Sequence, residues 1–134
     1  MPSFGRQSLH QLRSCDPRLQ ALFARVVAGY DCTVICGHRG EEAQNKARRA
    51  GRSKLWFPDG NHNAYPSAAA DVAPYPIDWQ NSKRFYHFAG FVLATAREMC
   101  ISIRWGGDWD SDNDLDDQTF NDLVHFEIDE EAPL

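Results

Sequence analysis

Apolar residues recur along this chain with two different periods, and the change of period marks where helices give way to strands. Leu9 and Leu12 share one side of a short helix predicted over Ser8–Ser14. Asp16-Pro17 reads as a fresh helix start, an N-cap acceptor followed by a proline at the first helical position. Leu19, Leu22, Phe23, Val26 and Val27 then follow at helical spacing until Gly29 stops the run. Cys32–Cys36 is a short β-prone segment, predicted as a buried strand, and Glu41–Ala50 a helix with a charged outer face, ended by Gly51. Residues 51–68 are rich in Gly, Pro, Asn and Ser and predict a long irregular loop, the kind that in a small domain is functional or disordered. Ala69–Ala73 predicts a strand, Pro74–Pro76 a turn, and Ser82–Met99 the longest helix, with Phe85, Phe88, Ala89, Val92 and Ala96 along one face. Ile101–Trp105 and Leu123–Ile128 predict the last two strands, separated by Gly106-Gly107 and an acidic loop.

The order α-α-β-α-β-α-β-β predicts an α+β fold, a small and largely antiparallel sheet with flanking helices, in one domain over 1–134. With 43% apolar residues the chain can build a core without disulfide staples. Its four cysteines (Cys15, Cys32, Cys36, Cys100) are too few and too scattered for a disulfide scaffold and read as reduced packing residues. No run approaches the roughly 18 apolar residues of a membrane span, and the N-terminus lacks the apolar stretch of a secretory signal. The expectation is a chain made in the cytoplasm without a signal peptide or membrane insertion.

Charge changes the picture more. The net −5 conceals a division: residues 1–107 hold all 14 basic residues against 8 acidic ones, while residues 108–134 hold 11 acidic residues and no base. A basic body can be drawn to an anionic polymer such as nucleic acid or bacterial wall. Arg48, Arg49, Arg52 and Lys54 lack interleaved aromatics on which bases could stack, so nucleic acid is not the expected partner.

Candidate chemistry concentrates in two places. The long loop leads from His62 to Asp71, a carboxylate set among the small residues Ala68–Ala73, where it needs a cation or hydrogen-bond donors. In the last strand His125 and Glu127 share one face, with Asp122 just upstream and Phe126 turned to the core. Two imidazoles and one carboxylate form a donor set that zinc accepts, with one position left for water, and a nearby carboxylate could take that water's proton. Spacing alone leaves lone structural histidines as the rival reading.

The ordered set His62-Asn-x-x-Pro-Ser-x-Ala-x-Asp71, Trp105-Gly-Gly-Asp-Trp109 and Asp122-x-x-His125-Phe-Glu127 resembles the zinc peptidases of the D-Ala-D-Ala carboxypeptidase and L-alanyl-D-glutamate endopeptidase family, in particular its small phage endolysin-like members. Gly37-His-Arg39-x-x-x-x-Gln44 is similar to the family's Ser-Gly-Tyr-Arg-x-x-x-x-Gln segment, and Gly51-Arg-Ser-Lys54 to its Gly-Lys-Ser-Lys. His62 and Asp71 stand nine apart, as in the longer His-Asn form of phage-like members, where the commoner pattern has seven; His38 replaces a frequent Tyr.

The resemblance implies the metallopeptidase (hedgehog-like) fold, with Zn2+ held by His62, Asp71 and His125. It further implies Asp122 as general base and acid, and Arg39 stabilising the developing oxyanion. The implied activity is cleavage of the peptide stem of bacterial peptidoglycan at L-alanyl-D-glutamate. A D-Ala-D-Ala carboxypeptidase or dipeptidase of the same family is the alternative, and a non-catalytic zinc-containing wall-binding module the rival from another class. The expected protein is a monomer that acts on the wall after release by a separate holin-type partner.

Other residues carry two readings each. Glu127 is expected either to orient His125 or Arg39 or to be solvated; Ser67 to bond Asp71 or the substrate, or to serve a turn; Gln44 to support Arg39 or to lie on the surface. Trp105 and Trp109 are expected to flank a substrate groove or to pack. Asp110, Asp112 and Asp114 alternate like the first oxygens of a calcium loop, but Leu115 stands where that loop needs Gly and Asn121 where it needs Glu. Ca2+ binding and a solvated loop are the two readings there.

Overall fold

The structure, a computed structural model, describes residues 2–116 and 121–130. Eight elements follow in the predicted order: α1 (Arg6–Arg13), α2 (Pro17–Gly29), β1 (Cys32–Cys36), α3 (Glu41–Arg49), β2 (Ala69–Pro74), α4 (Ser82–Glu98), β3 (Ile103–Gly106) and β4 (Asp122–Ile128). Asp16 caps α2 as its sequence indicates, its carboxylate accepting the Arg18 N–H at 2.8 Å ahead of Pro17.

Two boundaries depart from local pattern for tertiary reasons. Gly29 is the last residue of α2 rather than a conformational stop; Tyr30 leaves the helix with φ −152°. A Cβ on Gly29 would sit 3.0 Å from the Phe91 ring, so this glycine serves the close packing of α2 on α4. At the end of α4, Cys100 takes a left-handed φ of 59° and Ile101 N–H closes onto Ala96 C=O at 2.9 Å. That reversal uses up Ile101, which is why β3 begins only at Ile103.

The strands form one antiparallel sheet in the order β1-β2-β4-β3. Helices α2 and α4 pack together, and α4 covers β2, β3 and β4. Beneath them Ala70, Val72 and Phe126 are fully buried, and Phe126 meets Phe23 and Phe88 edge-on with centroids 5.6 and 6.2 Å apart. Burying a side chain of that size contributes on the order of 1.5–3 kcal/mol. It also holds register: a one-residue slip of β4 would turn Phe126 outward and drive His125 and Glu127 into the apolar layer. The opposite face of the sheet, under the loop that precedes β2, is therefore reserved for polar side chains. Among the described residues no helix is long and apolar enough to cross a membrane.

Candidate metal centre

Asp71 occupies the middle of β2 and is paired across the sheet with Cys36 of β1 on one side and His125 of β4 on the other. Strand register alone thus sets Asp71 beside His125. His62 arrives from the loop, which hydrogen bonds hold down. Ser67 N–H donates to Ser14 C=O at 2.8 Å, Ala68 N–H to Asn61 C=O at 3.0 Å, and Phe57 N–H to the Asn45 side chain at 2.9 Å.

Three donor atoms converge. His62 Nε2 lies 3.2 Å from Asp71 Oδ1 and 3.2 Å from His125 Nδ1, and His125 Nδ1 lies 3.4 Å from Asp71 Oδ1. The far nitrogen of each ring faces an acceptor: His62 Nδ1 is 2.7 Å from Gly37 C=O, and His125 Nε2 is 2.7 Å from Glu127 Oε1. With a proton on each far nitrogen, the two near nitrogens turn their lone pairs toward each other and toward a carboxylate oxygen. Three lone-pair donors at this spacing repel one another unless a cation lies between them. Donors at about 2.0–2.1 Å from a tetrahedral zinc stand about 3.3–3.4 Å apart, so the donor set fits such an ion.

The electrostatics register the same demand for positive charge. Burial disfavours a charged His62 ring, yet the adjacent Asp71 carboxylate outweighs it and pushes the ring up to about 10. Burial likewise works against ionised Asp71, but the charges of His62 and His125 and their hydrogen bonds hold it well below the usual carboxylate range. Asp122, whose Oδ2 is 3.9 Å from His125 Nδ1, is raised to about 6 by burial and by the charge of Asp71.

Arg39 is placed by its neighbours on both sides. Its N–H donates to His62 C=O at 2.7 Å, and its own carbonyl accepts from Asn63 Nδ2 at 3.0 Å. The guanidinium reaches within 3.6 Å of Asp71 Oδ2. The preceding turn is clamped to α1: Gly37 N–H donates to the Gln11 side chain and His38 N–H to Ser14 Oγ. A Cβ at Gly37 would lie 2.2 Å from Gln11 C=O, so only glycine permits this approach.

The remaining candidates separate clearly. Glu127 is buried rather than solvated; it holds His125 through Oε1, while Oε2 accepts from Asn61 Nδ2 and Arg104 Nη2, each at 2.8 Å. Burial opposes its charge, but the hydrogen bonds from His125 and Arg104 prevail and keep it at about 2. Glu127→Gln keeps an acceptor for His125 but removes the charge, and metal affinity is expected to fall about 10–100-fold in a competitive chelator titration.

Gln44 is also buried, and its side-chain hydrogen bonds go to groups other than the Arg39 guanidinium. Its Nε2 ties Ser53 Oγ and Leu55 C=O, and its Oε1 accepts from Asn63. Ser67 is fully buried and bonded to the backbone of Ala69, so it meets neither Asp71 nor a substrate. Trp105 is a packing residue: it is buried, donates Nε1–H to Leu123 C=O and lies edge-on to Tyr86. Trp109 is the tryptophan at the site, its ring 5.3 Å from that of His125.

Two participants were not apparent from the sequence. Asn61 anchors Glu127, and the Cys36 thiol, read as a packing residue, lies with His62 and Asp71 in one group of donor atoms within 4.8 Å of each other. Neither carries a local signal, because both depend on which strand or loop lies opposite.

In the acidic loop Asp108, not Asp114, joins Asp110 and Asp112 in a group of carboxylates. Asp108 accepts the backbone N–H groups of Asp112 and Asn113, Asp112 that of Asp114, and Asp114 that of Asp116, so the alternating pattern builds local turns. Asp117 lies outside the described residues.

The chain resembles known proteins along nearly its whole length. A family model described as phage L-alanyl-D-glutamate peptidase matches residues 2–128. The L-alanyl-D-glutamate peptidase of Escherichia phage T5 is 32% identical over 122 residues, covering 86% of this chain and 87% of that protein. The crystal structure of the Serratia marcescens L-Ala D-Glu endopeptidase ChiX superposes with a TM-score of 0.75 at 25% identity, covering 96% of this chain and 91% of that one. With the family matched across nearly its whole length, the chain belongs to the phage L-alanyl-D-glutamate peptidases.

Proposed function

We propose that the chain is a zinc-dependent endopeptidase that cuts the L-alanyl-D-glutamate bond in the peptide stem of bacterial peptidoglycan. His62, Asp71 and His125 hold the metal, Asp122 serves as general base and acid, and Arg39 stabilises the oxyanion. The observation that carries this reading is the convergence of three lone-pair donors at 3.2–3.4 Å, in a member of a peptidase family.

Bound there, zinc supplies Lewis acidity, polarising the scissile carbonyl and acidifying the attacking water. The chain's own residues do the rest. Asp122, with a proton affinity raised towards neutrality, accepts a proton at its carboxylate and returns it to the departing amine nitrogen. Arg39 offers guanidinium N–H donors to negative charge growing on the carbonyl oxygen. Glu127 fixes the tautomer and orientation of His125. Trp109 lines the same cleft of about 240 Å3 as His62, His125, Asp122 and Arg39, and limits the water that reaches them.

The family likeness to a phage protein supports action on the wall, reached with the help of a separate holin-type partner. Purified peptidoglycan should yield new D-glutamate amino termini and L-alanine carboxyl termini by mass analysis, with cleavage stopped by a chelator and restored by zinc. Release of D-alanine instead would make the chain a carboxypeptidase, and intact stems would leave only wall binding.

A further inference from the structure

The cleft beside the metal donors is more basic than the chain that carries it. Among its charged lining residues are the cations Arg39, Arg52, Lys54 and Arg104 and the carboxylates Asp122 and Glu127, in a protein of net charge −5. Arg104 bonds Glu127 at 2.8 Å, and Arg39 faces Asp71 at 3.6 Å. Arg52 and Lys54 reach the cleft from the exposed turn after α3.

That turn is built rather than loose. Gly51 opens it with φ +79°, and the N–H groups of Arg52 and Ser53 both return to Ala47 C=O, at 2.9 and 3.3 Å. The buried Gln44 side chain then grips Ser53 and Leu55 on either side of Lys54. The backbone carrying the two cations is thereby fixed against α3, and both side chains line the same cavity of about 240 Å3 as His62 and His125.

We propose that Arg52 and Lys54 form a carboxylate subsite that reads the acidic group of the residue whose amine departs, the glutamate of an alanyl-glutamate peptide. The inference rests on the peptidase reading above. Glutamate gives its amine to the bond that is cut and has two carboxyl groups, only one of which can continue the chain. The other is an anion within about 6 Å of the scissile nitrogen on ordinary covalent dimensions. A carboxylate that close to the reacting bond has to enter the cleft with it. A guanidinium can grip it through two parallel hydrogen bonds, and a cationic wall in a confined cleft draws it in from solution. A carboxylate further along the peptide has the same chemistry, and amidating one group at a time tells the two apart.

Three synthetic stem peptides distinguish the sources: one with the glutamate carboxylate free, one with that group amidated, and one with only the terminal carboxylate amidated. Wild-type protein is expected to lose about tenfold or more in kcat/KM on the second peptide, chiefly through KM, and less than about twofold on the third. In the Arg52→Gln/Lys54→Gln double variant the ratio between the first two peptides should fall to near one, and Arg52→Lys should keep part of it. Both side chains are exposed, so the core is untouched, and the two single variants report the same ratio independently. Equal rates on the first two peptides, a preference that follows the terminal carboxylate, or a preference that survives in the double variant would each overturn the subsite while leaving the peptidase intact. Failure to cleave any of the three would reject the peptidase reading, and the subsite with it.

Discussion

Asp122→Asn is expected to lower the rate of stem-peptide hydrolysis about 10²–10⁴-fold while leaving the metal content of the purified protein unchanged. The two halves of that expectation come from different distances. Asp122 Oδ2 stands 3.9 Å from His125 Nδ1, outside the 3.2–3.4 Å triangle of donors, so its removal leaves the three proposed ligands in place. Asparagine preserves the shape and the partial burial but cannot accept a proton at neutral pH. Burial and the charge of Asp71 raise Asp122 to about 6, and a divalent cation alongside acts in the opposite direction. Because the working form is the ionised one, wild-type activity should fall as pH drops through a limb at or below about 6. Residual activity of the asparagine variant should lack that limb. Rates and metal analysis on the same preparations check both points. Unimpaired hydrolysis would remove Asp122 from the chemistry, and loss of metal would make it a ligand instead.

His62→Ala should abolish metal-dependent hydrolysis and remove the thermal response to metal. On the proposed zinc reading, the ion at about a thousand times its Kd adds about 4 kcal/mol to the wild type's folded-state stability, so stripping it should lower Tm by many degrees. Of the three converging donors the variant keeps Asp71 and His125, a cross-strand pair with Asp122 beside it at a longer distance. Its Tm should be indifferent to chelator. The variant should also start from a lower baseline, by on the order of 1–3 kcal/mol, because His62 Nδ1–H donates to Gly37 C=O and pins the loop to the end of β1. Differential scanning calorimetry of both proteins, with and without chelator, separates the two effects. A variant that gains as much Tm from zinc as the wild type would show that the ion binds without His62.

The comparison of chain and fold is instructive at the level of single residues. Local physics was legible: the proline start of α2, the helical stripe ending at Ala96, and the period-2 alternation that sets His125 and Glu127 against Phe126 all follow from interactions within a few residues. The motif order likewise singles out His62, Asp71, Asp122 and His125, whose side chains the fold brings near one another.

Contact across the chain was not legible. Whether Glu127 faces water or His125 depends on β4 lying between β2 and β3 with Arg104 opposite Glu127. Gln44 looks like a surface helical residue until the loop folds over it, and nothing in the spacing of Trp105 and Trp109 says which one reaches the site. Gly29 and Gly106 make the same point from the backbone. Gly29 admits the Phe91 ring, and Gly106 lets Asp122 C=O approach to where a Cβ would be 2.1 Å away.

The sequence by itself determined the elements, their order and the polar groups available for chemistry, since propensity, capping and periodicity are short-range terms read along the chain. Only the tertiary structure decided which of those groups share a cavity. Strand register and loop burial are settled by apolar contacts such as Phe126 with Phe23, whose sequence separation hides them from any local pattern.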